Sequence, residues 1–216
     1  YGELFPLSIL PTELPELPVL SAASPLSDTD WLLPFFGFNS NTKERYTEAD
    51  GTEVITEVET DRSLHIQPDG SIVYRSGTEA TPEISAQEQN PTAAESALGC
   101  SILLQELTEG LTGEASLYLQ SVSQSGDSTQ LRFGYQLAGT PIRFSDGGSA
   151  AEITLSGTSI TRLTLRFRQY STTNEQSLLL PLRQTLAIAA DHPGVELSVG
   201  YADGGGDTVS ASWLAD

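Results

Sequence analysis

The chain partly repeats itself, and a repeat restricts its architecture more than any other feature it carries. Gly51-Thr52-Glu53-Val54 is echoed by Gly139-Thr140-Pro141-Ile142. The stretch Ile66 to Ile72, built around Pro68-Asp69-Gly70, is echoed by Ile153 to Ile160, built around Gly157. Gly139 follows Gly51 by 88 positions and Gly157 follows Gly70 by 87. Each copy reads as strand, glycine turn, strand, glycine turn, strand. The expected fold class is α+β: two related lobes, each a helix packed on an antiparallel β-sheet. Gly51 and Gly139 are expected at equivalent turns.

The pattern divides the chain into a Pro-rich linker over 1–27, an N-terminal lobe over 28–90 and a C-terminal lobe over 91–216. Pro6, Pro11, Pro15, Pro18 and Pro25 favour an extended, semi-stiff path for the linker. Asp28 and Asp30 precede Trp31-Leu32-Leu33 as an N-cap signal for a short helix. Thr92 with Glu95 is a capping box, and the helix it opens carries Ala97, Cys100, Leu104, Leu107 and Leu111 as one apolar stripe. Cys100 is therefore expected to be buried and unreactive. Strands follow at roughly 115–123, 129–137, 150–156 and 159–170. Pro181 opens a short third helix that His192-Pro193-Gly194 stops, and a last hairpin turns through Gly204-Gly205-Gly206.

Charge excludes some partners. With 29 acidic and 10 basic residues among 216, the net charge is −19, and nucleic acids and anionic lipid surfaces call for a basic footprint. One cysteine permits no intramolecular disulfide. Methionine is absent even from position 1, so the chain is read as a trimmed piece. No apolar run reaches the ~18 residues a membrane span requires.

Several spaced elements resemble a known family. They are "FGFN" from Phe36 to Asn39, Tyr-x-Glu-x-Asp-Gly-Thr from Tyr46 to Thr52, Leu-x-Ile-x-x-Asp-Gly-x-Ile-x-Tyr from Leu64 to Tyr74, and Phe-x-Tyr-x-Leu-x-Gly-x-Pro-Ile from Phe133 to Ile142. The chain resembles the extracytoplasmic domains of YycH/YycI-type proteins over roughly 30–214. Those are membrane-anchored accessory proteins of a cell-wall sensor histidine kinase in Gram-positive bacteria. The resemblance implies a non-enzymatic regulatory domain, extracytoplasmic and anchored through a segment before Tyr1, with a protein partner such as the kinase or a related accessory protein. It departs from the family in its short N-terminal lobe and missing anchor helix.

Catalytic chemistry finds little support. His65 alternates with Leu64 and Ile66 and points to solvent, and His192 closes a helix. Neither cysteine–histidine metal spacing nor a Gly-x-Ser-x-Gly elbow occurs. Ser40-Asn41-Thr42-Lys43 matches Ser-x-x-Lys without its partner motifs and enters a strand rather than a helix. Asp203 and Asp207 flank a glycine loop and read as a solvated hairpin tip rather than a calcium site. No metal, cofactor or catalytic residue is assigned.

The one candidate surface is basic. Strand alternation puts Arg162, Arg166 and Arg168 on one face, and Arg132 falls on the same face of a neighbouring strand. Two readings stay open. The arginines pair across strands with Glu114 or Glu152 on a solvated sheet, or they dock an acidic partner, such as the first lobe of a second copy. For the whole chain the first reading is a regulatory protein-interaction domain. The alternatives are a binding module for a small molecule or cell-wall fragment in a cleft between lobes, and a hydrolase using Ser40 and Lys43.

Overall fold

The computed structural model describes residues 16–39, 41–57, 59–77, 82–86, 90–190 and 197–215. Its first strand, β1 (Pro18–Ala23), lies inside the segment expected to be a linker. Pro18 takes the first position, where a missing N–H is tolerated. Leu20 and Ala22 face inward and Ser21 and Ala23 outward. The helix signal at Asp28 and Asp30 yields only one turn, α1 (Leu32–Phe35), whose cap residue is Trp31. The Asp28 carboxylate instead accepts the Asp30 N–H at 3.0 Å.

An antiparallel meander follows: β2 (Lys43–Thr47), β3 (Glu53–Glu57), β4 (Arg62–Ile66) and β5 (Ser71–Arg75). Alternation places Ile55, Leu64, Ile66, Ile72 and Tyr74 on one face, where they pack with Leu32, Leu33 and Phe36. The Phe36 and Tyr74 rings stack at 4.5 Å between centroids. Helix α2 (Ala93–Leu107) begins at the expected capping box. Thr92 Oγ1 accepts the Glu95 N–H at 3.3 Å, and Glu95 Oε2 accepts the Thr92 N–H at 2.8 Å. It lays Cys100, Leu103, Leu104 and Leu107 on the same core.

The described elements that follow are strands but for one helix: β6 (Ser116–Ser125), β7 (Ser128–Leu137), β8 (Thr140–Phe144), β9 (Ala151–Ser156), β10 (Ser159–Arg166) and β11 (Gln169–Gln176), then α3 (Leu182–Ala189), β12 (Leu197–Asp203), β13 (Thr208–Val209) and β14 (Ala211–Ala215). One large mixed sheet runs β14-β12-β8-β7-β9-β10-β5-β4-β3-β2, with β6 on the other edge of β7.

This corrects the expectation of two α+β lobes. Strand β5, from the first expected lobe, pairs with β10, from the second, setting Tyr74 opposite Leu163. The meander ends in an open edge at β5, and β10, with Leu163 and Leu165 buried between polar neighbours, fills it. One core therefore spans residue 90, and among the described residues the helices are too few and too short to form two helix-on-sheet layers. The repeat survives as local turn chemistry. Gly51 and Gly139 both occupy tight turns at φ of +89° and +83°, where a side chain would be strained. Beyond those turns the topology differs: β3 pairs onward with β4, whereas β9 returns to β7 rather than to β8.

Strand β7 divides one edge between two neighbours, residues 128–133 with β9 and 135–137 with β8. Beyond that fork β8 runs parallel to β12, and a small sheet β11-β1-β13 closes a second core around Leu20, Tyr135, Ile142, Tyr170 and Tyr201. The chain passes from β10 to β11, and so from one sheet to the other, at Phe167-Arg168. Bends of this kind form the corners of packed sheets.

Candidate functional site

The corner at Phe167-Arg168 sets the first candidate site. The strand expected to run unbroken through 159–170 ends at Arg166, and the chain turns Arg168 inward, where it is 8% exposed. Arg168 Nε and Nη2 donate to Asp203 Oδ2 and Oδ1 at 2.9 and 3.0 Å, and Nη2 donates to Gly206 O at 2.6 Å. Asp203 also accepts the Tyr170 hydroxyl at 2.8 Å and the Gly205 N–H at 2.7 Å. Burial alone would raise the Asp203 carboxyl; the bonds from Arg168, Gly205 and Tyr170 outweigh it and hold the group below the usual carboxylate range. Burial and then the Asp203 charge push the Tyr170 hydroxyl up. Asp203, read from sequence as part of a solvated loop tip, is thus the buried counter-ion of the corner. One signal was available: alternation from the core residue Tyr201 puts Asp203 on the inner side, and an inner carboxylate requires a cation.

Above this pair lies a cleft of about 670 Å³ lined by Asp69, Asp146, Arg166, Arg168, Asp203 and Asp207. Arg166 Nη2 donates to Asp146 Oδ2 at 2.8 Å, and its guanidinium lies 4.7 Å from the centre of the Phe144 ring. The bond from Arg166, with that from the Gly148 N–H, holds the Asp146 carboxyl low. Asp146 and Asp203 are therefore fixed anions near neutral pH, and with Asp69 and Asp207 the cleft sets four aspartates against two arginines.

The four arginines do not form one exposed face. Arg132 pairs with Glu152 at 3.2 Å on the solvated side of the sheet. Arg162 is exposed directly opposite Arg75, so like charges adjoin there. Arg166 leans into the cleft and Arg168 is buried in the corner. Glu114 accepts from Thr172 instead of an arginine. In the Ser-x-x-Lys match, Ser40 lies outside the described residues, and Lys43 opens β2 opposite Glu57. His65 is half-buried on β4, and His192 lies outside the described residues. Among the described residues no group of three or more His, Cys, Asp or Glu side chains could hold a metal ion, and no helix is long and apolar enough to cross a membrane.

The second candidate is the edge of the sheet at β6, which nothing in the sequence singles out from the other strands. Leu117 and Val122 pack against buried cores, and the rest of the strand is polar or exposed. Between its N-terminal end and the C-terminal half of α2 runs an open groove of about 760 Å³, lined among others by Ile102, Gln105, Glu109, Ser116 and Leu117. A strand edge beside a helix is the arrangement that accepts an added strand through main-chain hydrogen bonds.

Comparison with family models, with curated proteins and with solved structures finds no match to this chain.

Proposed function

We propose that this chain is a non-enzymatic protein-interaction domain that engages its partner by strand addition at β6. The observation that carries this reading is the uncharged edge of β6, regular over Ser121–Ser125 beyond a bulge at Gln120, on a strand whose N-terminal end lies beside the groove under α2. An open edge offers a row of main-chain donors and acceptors, and side-chain pockets next to it add selectivity. The resemblance to YycH/YycI-type proteins supplies the setting: an extracytoplasmic, membrane-anchored accessory of a sensor histidine kinase, a role exercised through protein contacts.

A photo-activated cross-linking residue placed at Gln124 on β6, and in a control at the exposed Tyr46 on β2, tests the reading in the producing cell. Adducts from position 124 that are absent from position 46 support it. No adduct at 124, or the same adducts from both positions, overturns it.

A second reading, a binding module for a small molecule or cell-wall fragment, has the cleft at Arg166 and Arg168 in its favour. Both guanidinium groups already have carboxylate partners there, so an anionic ligand would have to displace Asp146 or Asp203. The β6 reading requires no such exchange.

A further inference from the structure

The sheet edges are protected unequally. Strand β2 ends the large sheet with Lys43, Glu44 and Arg45, charges that discourage a further strand. Strand β14 ends it on the other side, where Ser177 Oγ accepts the Ala211 N–H at 2.9 Å and Leu180 O accepts the Trp213 Nε1–H at 2.8 Å. Strand β6 has neither device, and its bulge at Gln120 leaves Ser121–Ser125 in regular register with β7. It contains no charge and no proline, and among the described residues it pairs only with β7.

The direction of its free groups follows from the hairpin. Ser125 and Ser128 close a two-residue loop, so Ser121 and Ser123 turn their amides toward β7, and Val122 and Gln124 turn theirs outward. The far edge of β7 has the matching parity: Phe133 O accepts the Ala150 N–H at 2.8 Å on the β9 side.

Building on the reading of β6 as a docking edge, we infer that its occupant is β6 of a second copy, paired antiparallel about a two-fold axis. Such a contact is self-complementary, because each outward N–H meets an outward carbonyl of the same strand. Charge selects the same surface. Each copy carries −19, so like-charge repulsion opposes association through acidic surface. Along β6 no charge faces another, and Ser121, Ser123 and Gln124 carry side chains that both donate and accept. Leu119 on the same strand is 39% exposed, and Ile102 on the neighbouring α2, which lines the groove, is 43% exposed, so apolar surface adjoins the edge.

Sedimentation equilibrium of the full chain, across protein concentration and at low and high salt, tests the inference. The expected result is a mass rising from 23.1 kDa toward twice that value. Association should strengthen with salt, because screening relieves the mutual repulsion. Gln124→Pro removes one outward N–H, and a second variant, Ser121→Glu with Ser123→Glu, leaves the backbone intact and puts like charges across the axis. Each should weaken association about tenfold or more, with an unchanged circular dichroism spectrum. Three results overturn the inference: a monomer under every condition, a dimer that both variants leave intact, or a dimer that weakens with salt as an arginine-to-carboxylate contact would. Cross-links from Gln124 to a different protein, with a monomer in the centrifuge, would sink the second copy while leaving the docking edge in place.

Discussion

Arg168 and Asp203 face each other through two parallel hydrogen bonds of 2.9 and 3.0 Å at the point where the chain leaves one sheet for the other. Asp203 ends β12 and Arg168 precedes β11, so the pair ties the large sheet to the small one. Asp203 is 2% exposed and Arg168 8%, so loss of one leaves the other largely desolvated and costs more than loss of an exposed ion pair. Asp203→Asn and Arg168→Met should each lower unfolding free energy by about 3–5 kcal/mol. Denaturant titration of both singles and the double should give a coupling of about 1–3 kcal/mol. Additive losses would mean that the pair does not act as a unit.

Acid should expose the same contact. The Asp203 carboxyl is held low by Arg168, Gly205 and Tyr170 against its burial. The Glu57 carboxyl is held low first by Thr60, whose hydroxyl donates at 2.6 Å, with Asn39, Thr42 and Arg62 assisting. A group whose folded value is depressed adds stability above its unfolded value, near 4, and loses it as pH falls through the folded value. Stability should therefore be flat from neutrality down to about pH 4 and decline below that. Asp203→Asn should start lower and decline less steeply. Equal slopes for both proteins would remove Asp203 from the acid response.

The exposed pair gives the contrast. Arg132 and Glu152 meet at 3.2 Å with side chains 52% and 37% exposed. Arg132→Ala should change unfolding free energy by no more than about 1 kcal/mol, and added salt should reduce even that. A larger loss would show that Arg132 has a role the solvated contact does not explain.

Where the controlling interactions were local, the fold could be read from sequence. Thr92 and Glu95 are three residues apart, and their reciprocal hydrogen bonds need nothing beyond the helix they open. Gly51, Gly70 and Gly157 sit at turns for reasons contained in four residues. What could not be read was long-range. Nothing in the residues of β5 or β10 states that they pair across residue 90, so a repeated turn motif reads, from sequence, like a repeated lobe. The bend at Phe167-Arg168 has no glycine or proline to announce it, and the partner that meets Arg168 there, Asp203, lies 35 positions later. Alternation holds through Arg162 and Arg166 and fails at Arg168, because the strand ends at Arg166.

Helix α2 offers a local check. Thr92→Ala should destabilise the chain by about 1 kcal/mol, since the Glu95 N–H loses its acceptor. Thr92→Ser, which keeps the oxygen, should restore most of that in thermal unfolding. The thiol on the same helix should be inert: burial pushes Cys100 up to about 12, and the side chain is fully enclosed. A thiol reagent at neutral pH should label it at the rate of unfolding; labelling at the rate of a free thiol would place Cys100 outside the core.

The central claim, that β6 is a docking edge, is tested most directly by residue-resolved amide hydrogen exchange at low and high protein concentration. The inward amides of Ser121 and Ser123, bonded to β7, should exchange slowly at both. Those of Val122 and Gln124 should exchange rapidly in dilute protein and become protected as concentration rises, and Ser121→Glu with Ser123→Glu should abolish that protection. Rapid exchange of Val122 and Gln124 at every concentration, with and without candidate partners, would contradict the account.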